Sequence, residues 1–251
     1  MAMMYKAALV DFDGTLADLF RGTAIKEHVV VRLRRLYGEA GVSPALLSAS
    51  SPYRMWLEGF TALKDSPQCA AIVQEEASAI IEEGELTAGG SCDLFRGVDR
   101  AVLELFTKGV RLAVVSMNST AVIHHVLSKH GVAEMFQVVA GRTRKATLAQ
   151  VKPAAPLVRR VLTDLGAADT TVCVVGDSVD DMRMAKGERL RAIGVLTGQG
   201  TAAALVAAGA HHLCASFVGV PRLIFEERSG GTALTATNPL HHANGRPVGR
   251  P

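Results

Sequence analysis

An apolar run from Tyr5 to Val10 ends in Asp11-Phe12-Asp13-Gly14-Thr15. A stretch of that length bounded by a turn signal reads as a buried parallel strand. Ligands of open α/β sheets bind at the carboxyl edge of such strands, where both acids emerge. Carboxylates placed there are costly to desolvate and repel each other, so a cation is expected to resolve the conflict. Gly14 permits backbone angles barred to other residues, which lets the chain turn sharply and leave N–H groups facing an anion. Acid, amide and metal are therefore expected at one place.

Further strand-like runs recur at Leu112 to Val115, Gln137 to Ala140, Thr171 to Val175 and Ala192 to Leu196, with a weaker one at Leu213 to Phe217. Helical patterns separate them. Val102, Leu105 and Phe106 repeat at helical spacing before Gly109; Val122, Ile123, Val126 and Leu127 follow Ser119; a third helix is expected from Pro156 to Gly166. This alternation predicts an α/β fold, a Rossmann-like parallel sheet with helices on both faces. From Asp18 to Asp93 the periodicity stays helical, over Thr23 to Tyr37, Tyr53 to Lys64 and Pro67 to Glu83, with Ser66 as a candidate cap. Inserted directly after the acidic strand end, this all-helical stretch is expected to form a cap domain above the active edge. The expected division is a core of 1–17 and 94–228, a cap of 18–93 and a flexible tail of 229–251.

Four cysteines, Cys69, Cys92, Cys173 and Cys214, show no CxxC pairing and read as buried free thiols. No apolar run reaches the roughly 18 residues of a membrane span, and no signal-like leader opens the chain, so a soluble cytoplasmic protein is expected. The net charge is +3, of which Arg246 and Arg250 in the acid-free tail supply two. A body so close to neutral does not suggest nucleic acid as a partner.

A second acidic cluster, Gly176-Asp177-Ser178-Val179-Asp180-Asp181, follows the Thr171 to Val175 run. With Ser178 capping the next helix, Asp181 lies one turn beyond Asp177 and faces the same way, whereas Asp180 points aside. Asp11 and Asp177 offer the hard oxygen ligands that suit Mg²⁺, with Asp181 behind them. Ser116, in Val114-Val115-Ser116-Met117-Asn118, offers a hydroxyl beside backbone amides where a helix is expected to start. Lys152, stiffened by Pro153, brings a positive point charge. These parts compose a phosphoryl-transfer site: Asp11 as covalent nucleophile, Asp13 as general acid and base, and Mg²⁺, Lys152 and Ser116 to neutralise the phosphoryl oxygens.

Asp11 to Asp18, the Val114 to Asn118 strand end, Lys152-Pro153 and Gly176 to Asp181, in this order and spacing, resemble the motifs of the haloacid dehalogenase-like hydrolase superfamily. The resemblance runs from Tyr5 to Phe225. Gly194-Val195-Leu196-Thr197-Gly198 and Ala208-Gly209-Ala210 are similar to stretches of its phosphoglycolate phosphatase-like branch. It implies Asp11 as nucleophile, Asp13 as acid/base, phosphate binding by the Ser116-Met117-Asn118 segment and Lys152, and Mg²⁺ held by Asp11, the Asp13 carbonyl and Asp177. The expected substrate is a small phosphorylated metabolite, phosphoglycolate first. The chain departs from the branch in reading Ser116-Met117-Asn118 where Thr-Asn-Lys is frequent.

Other features invite other readings. Gly198-Gln199-Gly200-Thr201-Ala202-Ala203 fits a dinucleotide spacing, but no acid follows at the distance that holds a ribose. His124-His125, His211-His212 and His241-His242 are adjacent pairs without metal-ligand spacing. Lys26, Arg32, Arg34 and Arg35 read as a charged outer helix face, and Trp56 and Phe60 as cap core. A phosphomutase and a non-catalytic regulatory protein on the same fold stand as alternatives; dehalogenation leaves Asp13 without a task.

Overall fold

The computed structural model describes residues 5–47, 51–167 and 171–225. The tail from 229 and the His241-His242 pair lie outside them. The strands are β1 Ala7–Val10, β2 Arg111–Ser119, β3 Phe136–Arg142, β4 Val172–Gly176, β5 Arg191–Val195 and β6 His212–Cys214, all parallel in the order β3-β2-β1-β4-β5-β6. The helices are α1 Ile25–Glu39, α2 Pro52–Ala62, α3 Pro67–Gly89, α4 Val98–Thr107, α5 Thr120–Lys129, α6 Ala155–Asp164, α7 Val179–Gly187, α8 Ala202–Ala208 and α9 Val220–Phe225.

Successive strand residues point to opposite faces, and both faces of this sheet are covered. Ala8, Val10, Val114, Cys173 and Ile193 join α4, α5 and α9 in one apolar layer. Ala7, Leu9, Ala113, Val174 and Ala192 join α6 and α7 in the other. Double coverage explains why β1 is apolar at every position and fully buried. A third cluster holds α1, α2 and α3 together through Leu33, Tyr37, Trp56 and Ile81, and it reaches the sheet domain through Ala146 and Val151. Trp56 meets Phe60 edge-on within this helical cluster, with ring centroids 4.8 Å apart. This helical insertion leaves and returns side by side: Ala17 bridges Leu94, and the Phe95 N–H donates to the Leu16 carbonyl at 2.9 Å.

Four local expectations need correction. Ser116 is not at a helix start but inside β2, which runs on to Ser119 because its register against β3 shifts between Val115 and Ser119. Ser119 is the residue that caps α5, accepting from the Val122 N–H at 3.3 Å. Helix α3 passes Gly84 and continues to Gly89, since Gly84 lies where Val29 of α1 crosses closely; Ser66 makes no side-chain cap bond. Of the free cysteines, Cys92 and Cys173 are buried, but Cys69 is exposed and Cys214 half-buried. His124 and His125 are exposed, as are Arg32, Arg34 and Arg35. Among the described residues, no helix is long and apolar enough to cross a membrane.

Candidate active site

The strand order reverses around β1, whose neighbours are β2 on one side and β4 on the other. Crevices form at such points, beyond the carboxyl ends of the strands. Val10 is in register with both Val114 and Val175, and the Asp11 N–H donates to the Val175 carbonyl at 2.9 Å. Asp11 and Asp177 therefore leave the sheet as neighbours, with Ser116 near them on β2, although the sequence separates them widely.

Buried Asp11 accepts the Phe12 N–H on Oδ1 at 2.7 Å, and the same oxygen lies 2.8 Å from Lys152 Nζ. The Lys152 ammonium also bonds Asp181 Oδ1 at 2.7 Å. The second oxygen of Asp181 accepts the N–H and hydroxyl of Ser178, at 3.0 and 2.6 Å, closing a capping box at the start of α7. Asp181 is thus engaged through both oxygens in holding Lys152 and the helix start. Asp180 is not part of this cluster; it pairs with Arg183 at 3.4 Å, and both residues line the neighbouring cavity.

A loop and a turn cradle Asp177. Thr15 Oγ1 donates to its Oδ1 at 3.3 Å, and the Gln199 N–H to its Oδ2 at 2.8 Å. The approach is so close that glycine is required on both sides. A Cβ on Gly14, whose φ is +84°, would lie 2.6 Å from the Asp177 carboxylate, and one on Gly198 would overlap it. Half-buried Asp13 accepts the Leu19 N–H at 2.8 Å.

Carboxylate oxygens of Asp11, Asp177 and Asp181 all lie within 4.8 Å of one another. Lys152 is the cation among them, and it does not balance the charge. Burial pushes the Asp11 carboxyl up to about 7 even though Lys152 opposes it, and burial pushes Asp13 up to about 6 against the Leu19 hydrogen bond. Asp177 is raised as well, by burial and then by Asp181. Burial alone would lower Lys152, but Asp11 and Asp181 outweigh it and hold the ammonium above its ordinary value.

These groups open onto a cavity of about 730 Å³. Asp11, Asp13 and Asp177 line its floor with Lys152, and the Ser116-Met117-Asn118 segment forms one side. The roof comes from α2 through Tyr53, Arg54 and Leu57. Every candidate residue named from the sequence thus borders this cavity except Asp181, which lies beneath it behind Lys152. The Ser116 hydroxyl donates to Asn118 Oδ1 at 2.9 Å, and Asn118 Nδ2 donates to Tyr53 OH at 2.7 Å.

The sequence did not single out Thr15, Tyr53, Glu85 or Arg142. Thr15 is adjacent to the acidic motif, but nothing local ties it to Asp177. Gly198 and Gln199 did stand out, as a glycine spacing; in the structure Gly198 packs against the Asp177 carboxylate and Gly200 against the Asp177 backbone carbonyl.

A sequence profile of the haloacid dehalogenase-like hydrolase family matches residues 8–195. The chain belongs to this family. As a haloacid dehalogenase-like hydrolase it is an enzyme, and solved structures share its fold. A predicted phosphatase from Clostridium acetobutylicum superposes with a TM-score of 0.65 at 20% identity, over 88% of this chain and 98% of that one. A predicted phosphoglycolate phosphatase from Haemophilus somnus gives 0.62 at 16% identity, over 89% and 99%. CbbY from Rhodobacter sphaeroides, a variant in complex with xylulose 1,5-bisphosphate, gives 0.58 at 23% identity, over 85% and 95%. No curated protein matches the hydrolase in sequence.

Proposed function

We propose that this hydrolase is a Mg²⁺-dependent phosphatase that cleaves a small phosphomonoester, phosphoglycolate being the first candidate, through an aspartyl phosphate on Asp11. The observation that carries the reading is the buried Asp11 carboxylate held against Lys152 at 2.8 Å on the floor of a cavity that also presents Asp13 and Ser116. The likeness to a predicted phosphoglycolate phosphatase and to a protein that binds a sugar bisphosphate supports a small phosphorylated metabolite as substrate.

The donor set fits a hard divalent cation: three buried carboxylates with oxygens within 4.8 Å of one another outnumber the one ammonium among them. Asp11, Asp177 and the Asp13 backbone carbonyl would hold Mg²⁺, which supplies charge neutralisation to the phosphoryl oxygens. Asp181 stays a supporting residue because it holds the Lys152 ammonium and the start of α7 and, unlike Asp177, does not border the cavity.

Oδ1 of Asp11 already takes the Phe12 N–H and Lys152, so Oδ2 is the oxygen assigned to attack. Its lone pair forms a bond to phosphorus as the ester P–O bond breaks, and Asp13, whose carboxyl burial raises to about 6, gives a proton to the leaving oxygen from the fraction that is protonated. Asp13, now a carboxylate, takes a proton from the water that attacks phosphorus; the P–O bond to Asp11 breaks, and phosphate leaves. Lys152 and Ser116 face the charge that builds on the equatorial oxygens. Residues 18–93 act as a cap whose α2 closes the cavity over the substrate, while 1–17 and 94–228 carry the chemistry.

Incubation with p-nitrophenyl phosphate and a panel of small phosphate esters, with Mg²⁺ or EDTA, tests this. Metal-dependent phosphate release that vanishes in Asp11→Asn is expected; no release by the wild type from any ester overturns the reading. Product analysis with hexose phosphates separates hydrolysis from a mutase.

A further inference from the structure

Beside Ser116 lies a buried polar cluster that the steps above do not use. Glu85 of α3 is fully buried, and four donors from three other elements converge on its carboxylate. Tyr53 OH of α2 donates at 2.9 Å; from β2 come Asn118 Nδ2 at 3.2 Å and the Ser119 N–H at 2.9 Å; from β3 comes Arg142 Nη2 at 3.4 Å. Glu85 and Arg142 are both sealed from solvent, and a buried ion pair is weak evidence for stability because desolvation offsets its attraction. What the arrangement does supply is direction.

Asn118 turns its amide nitrogen toward two oxygen acceptors, Tyr53 OH and Glu85, so its Oδ1 must face Ser116 and receive that hydroxyl at 2.9 Å. The opposite amide orientation would set an oxygen against the Glu85 carboxylate, so the carboxylate fixes which end of Asn118 meets Ser116. Tyr53, whose hydroxyl bonds the same carboxylate oxygen as Asn118, also lines the cavity from α2.

We infer that Glu85 is a positioning residue for the phosphoryl site: from the inserted helix α3 it orients Asn118, and through it the Ser116 hydroxyl, while tying the α2 wall to the same point through Tyr53. This rests on the phosphatase reading of the cavity. Positioning at this distance matters because a misplacement of about 1 Å costs about 10²-fold in rate.

The test is a double-mutant cycle of Glu85→Gln and Ser116→Ala, read as kcat/KM on p-nitrophenyl phosphate with Mg²⁺ and as inhibition by inorganic phosphate. Glutamine keeps the shape of Glu85 but puts an N–H₂ among converging donors. Glu85→Gln is expected to lower kcat/KM by up to about 10²-fold and weaken phosphate inhibition in the wild-type background. With Ser116→Ala already present it should change either readout little, since the group it orients is gone. The same fold-loss in both backgrounds, or no loss in a folded Glu85→Gln protein, overturns the inference. If Glu85→Gln does not fold, Tyr53→Phe, which removes one hydroxyl, takes its place in the same cycle under the same two criteria. An inactive wild type that is not inhibitable or bound by phosphate removes the phosphatase reading and this inference with it; an active wild type with an additive cycle removes the inference alone.

Discussion

Lys152 Nζ lies 2.8 Å from Asp11 Oδ1, and solvent reaches almost none of either side chain. The same ammonium holds Asp181 at 2.7 Å, so one lysine sits between two carboxylates that would otherwise confront each other in a buried site. Its role in the resting protein is electrostatic support of the nucleophile; its role in turnover is to meet phosphoryl charge. Both follow from one position.

Lys152→Met keeps the length of the stem and removes the charge. Breaking a buried pair by deleting one partner costs about 3–5 kcal/mol, because the remaining charge is left without compensation. Urea unfolding in EDTA should register a loss of that order, and added Mg²⁺ should recover part of it by supplying positive charge to the same carboxylates. A variant within about 1 kcal/mol of wild type in EDTA would show that the pair is not electrostatically buried.

Asp11→Asn yields a linkage prediction with a definite sign. The folded-state carboxyl is raised from 3.8 to about 7, so between those values the native state holds a proton that the unfolded state has lost. Stability contributed by that proton is present at low pH and drains away as pH rises toward 7, then levels off. Asparagine mimics the protonated form at every pH. Without metal, the variant should match wild type near pH 4, become progressively the more stable protein as pH rises, and hold a constant advantage above about pH 7. Shifts at His211 and His212, which are lowered and act with the opposite sign, cancel in the difference between the two proteins. Paired urea curves across that range check the trend; a difference independent of pH would contradict it.

Much of this architecture was legible because it is written in periodic burial. A strand covered on both faces must be apolar at each position, and β1, Ala7–Val10, falls within the apolar run from Tyr5 to Val10. Val102 and Leu105 fall on the buried face of α4, whereas Phe106, which shares their spacing, is exposed. The acids were legible for the converse reason, as charges at the ends of strands that bury everything else. What stayed hidden depends on pairings across long stretches of chain. Glu85 reads as one more surface acid among Glu82 and Glu83, and only the fold brings Arg142 to it, 57 residues on. Likewise Ser116 reads as a helix start because the bulge that keeps it in β2 is a property of pairing with β3, not of the local sequence.

Asp13→Asn separates the two half-reactions. The Asp13 carboxyl, raised to about 6 by burial, protonates the leaving oxygen and then accepts a proton from water. A nitrophenolate leaves readily without a proton, whereas an alkoxide does not. The variant should therefore retain a burst of nitrophenol release, with the aspartyl phosphate accumulating, and give no burst with an alkyl phosphate such as phosphoglycolate. Rapid-quench measurement of both substrates checks it, and equal losses without a burst would remove Asp13 from the acid and base roles. In the wild type, kcat/KM should follow a bell against pH, its alkaline limb set by the need for a protonated Asp13; the apparent values belong to the Asp11 and Asp13 pair together.

Gly198→Ala tests whether Asp177 serves the cation. A Cβ at 198 would overlap the Asp177 carboxylate, and the loop can yield only by loosening the Gln199 N–H bond of 2.8 Å that orients it. Groups that orient a metal-binding residue typically contribute about 10–100-fold to metal affinity or activity. The Mg²⁺ concentration for half-maximal phosphatase activity should rise by about tenfold or more, with much of the maximal rate recovered at saturating Mg²⁺. Gly187→Ala, where an added Cβ meets nothing within 4 Å, serves as the control and should leave the Mg²⁺ titration unmoved. An unchanged titration for a folded Gly198→Ala protein would take Asp177 out of the metal site, whereas a uniform loss of rate at every Mg²⁺ concentration would assign the Gly198 loop to substrate positioning instead.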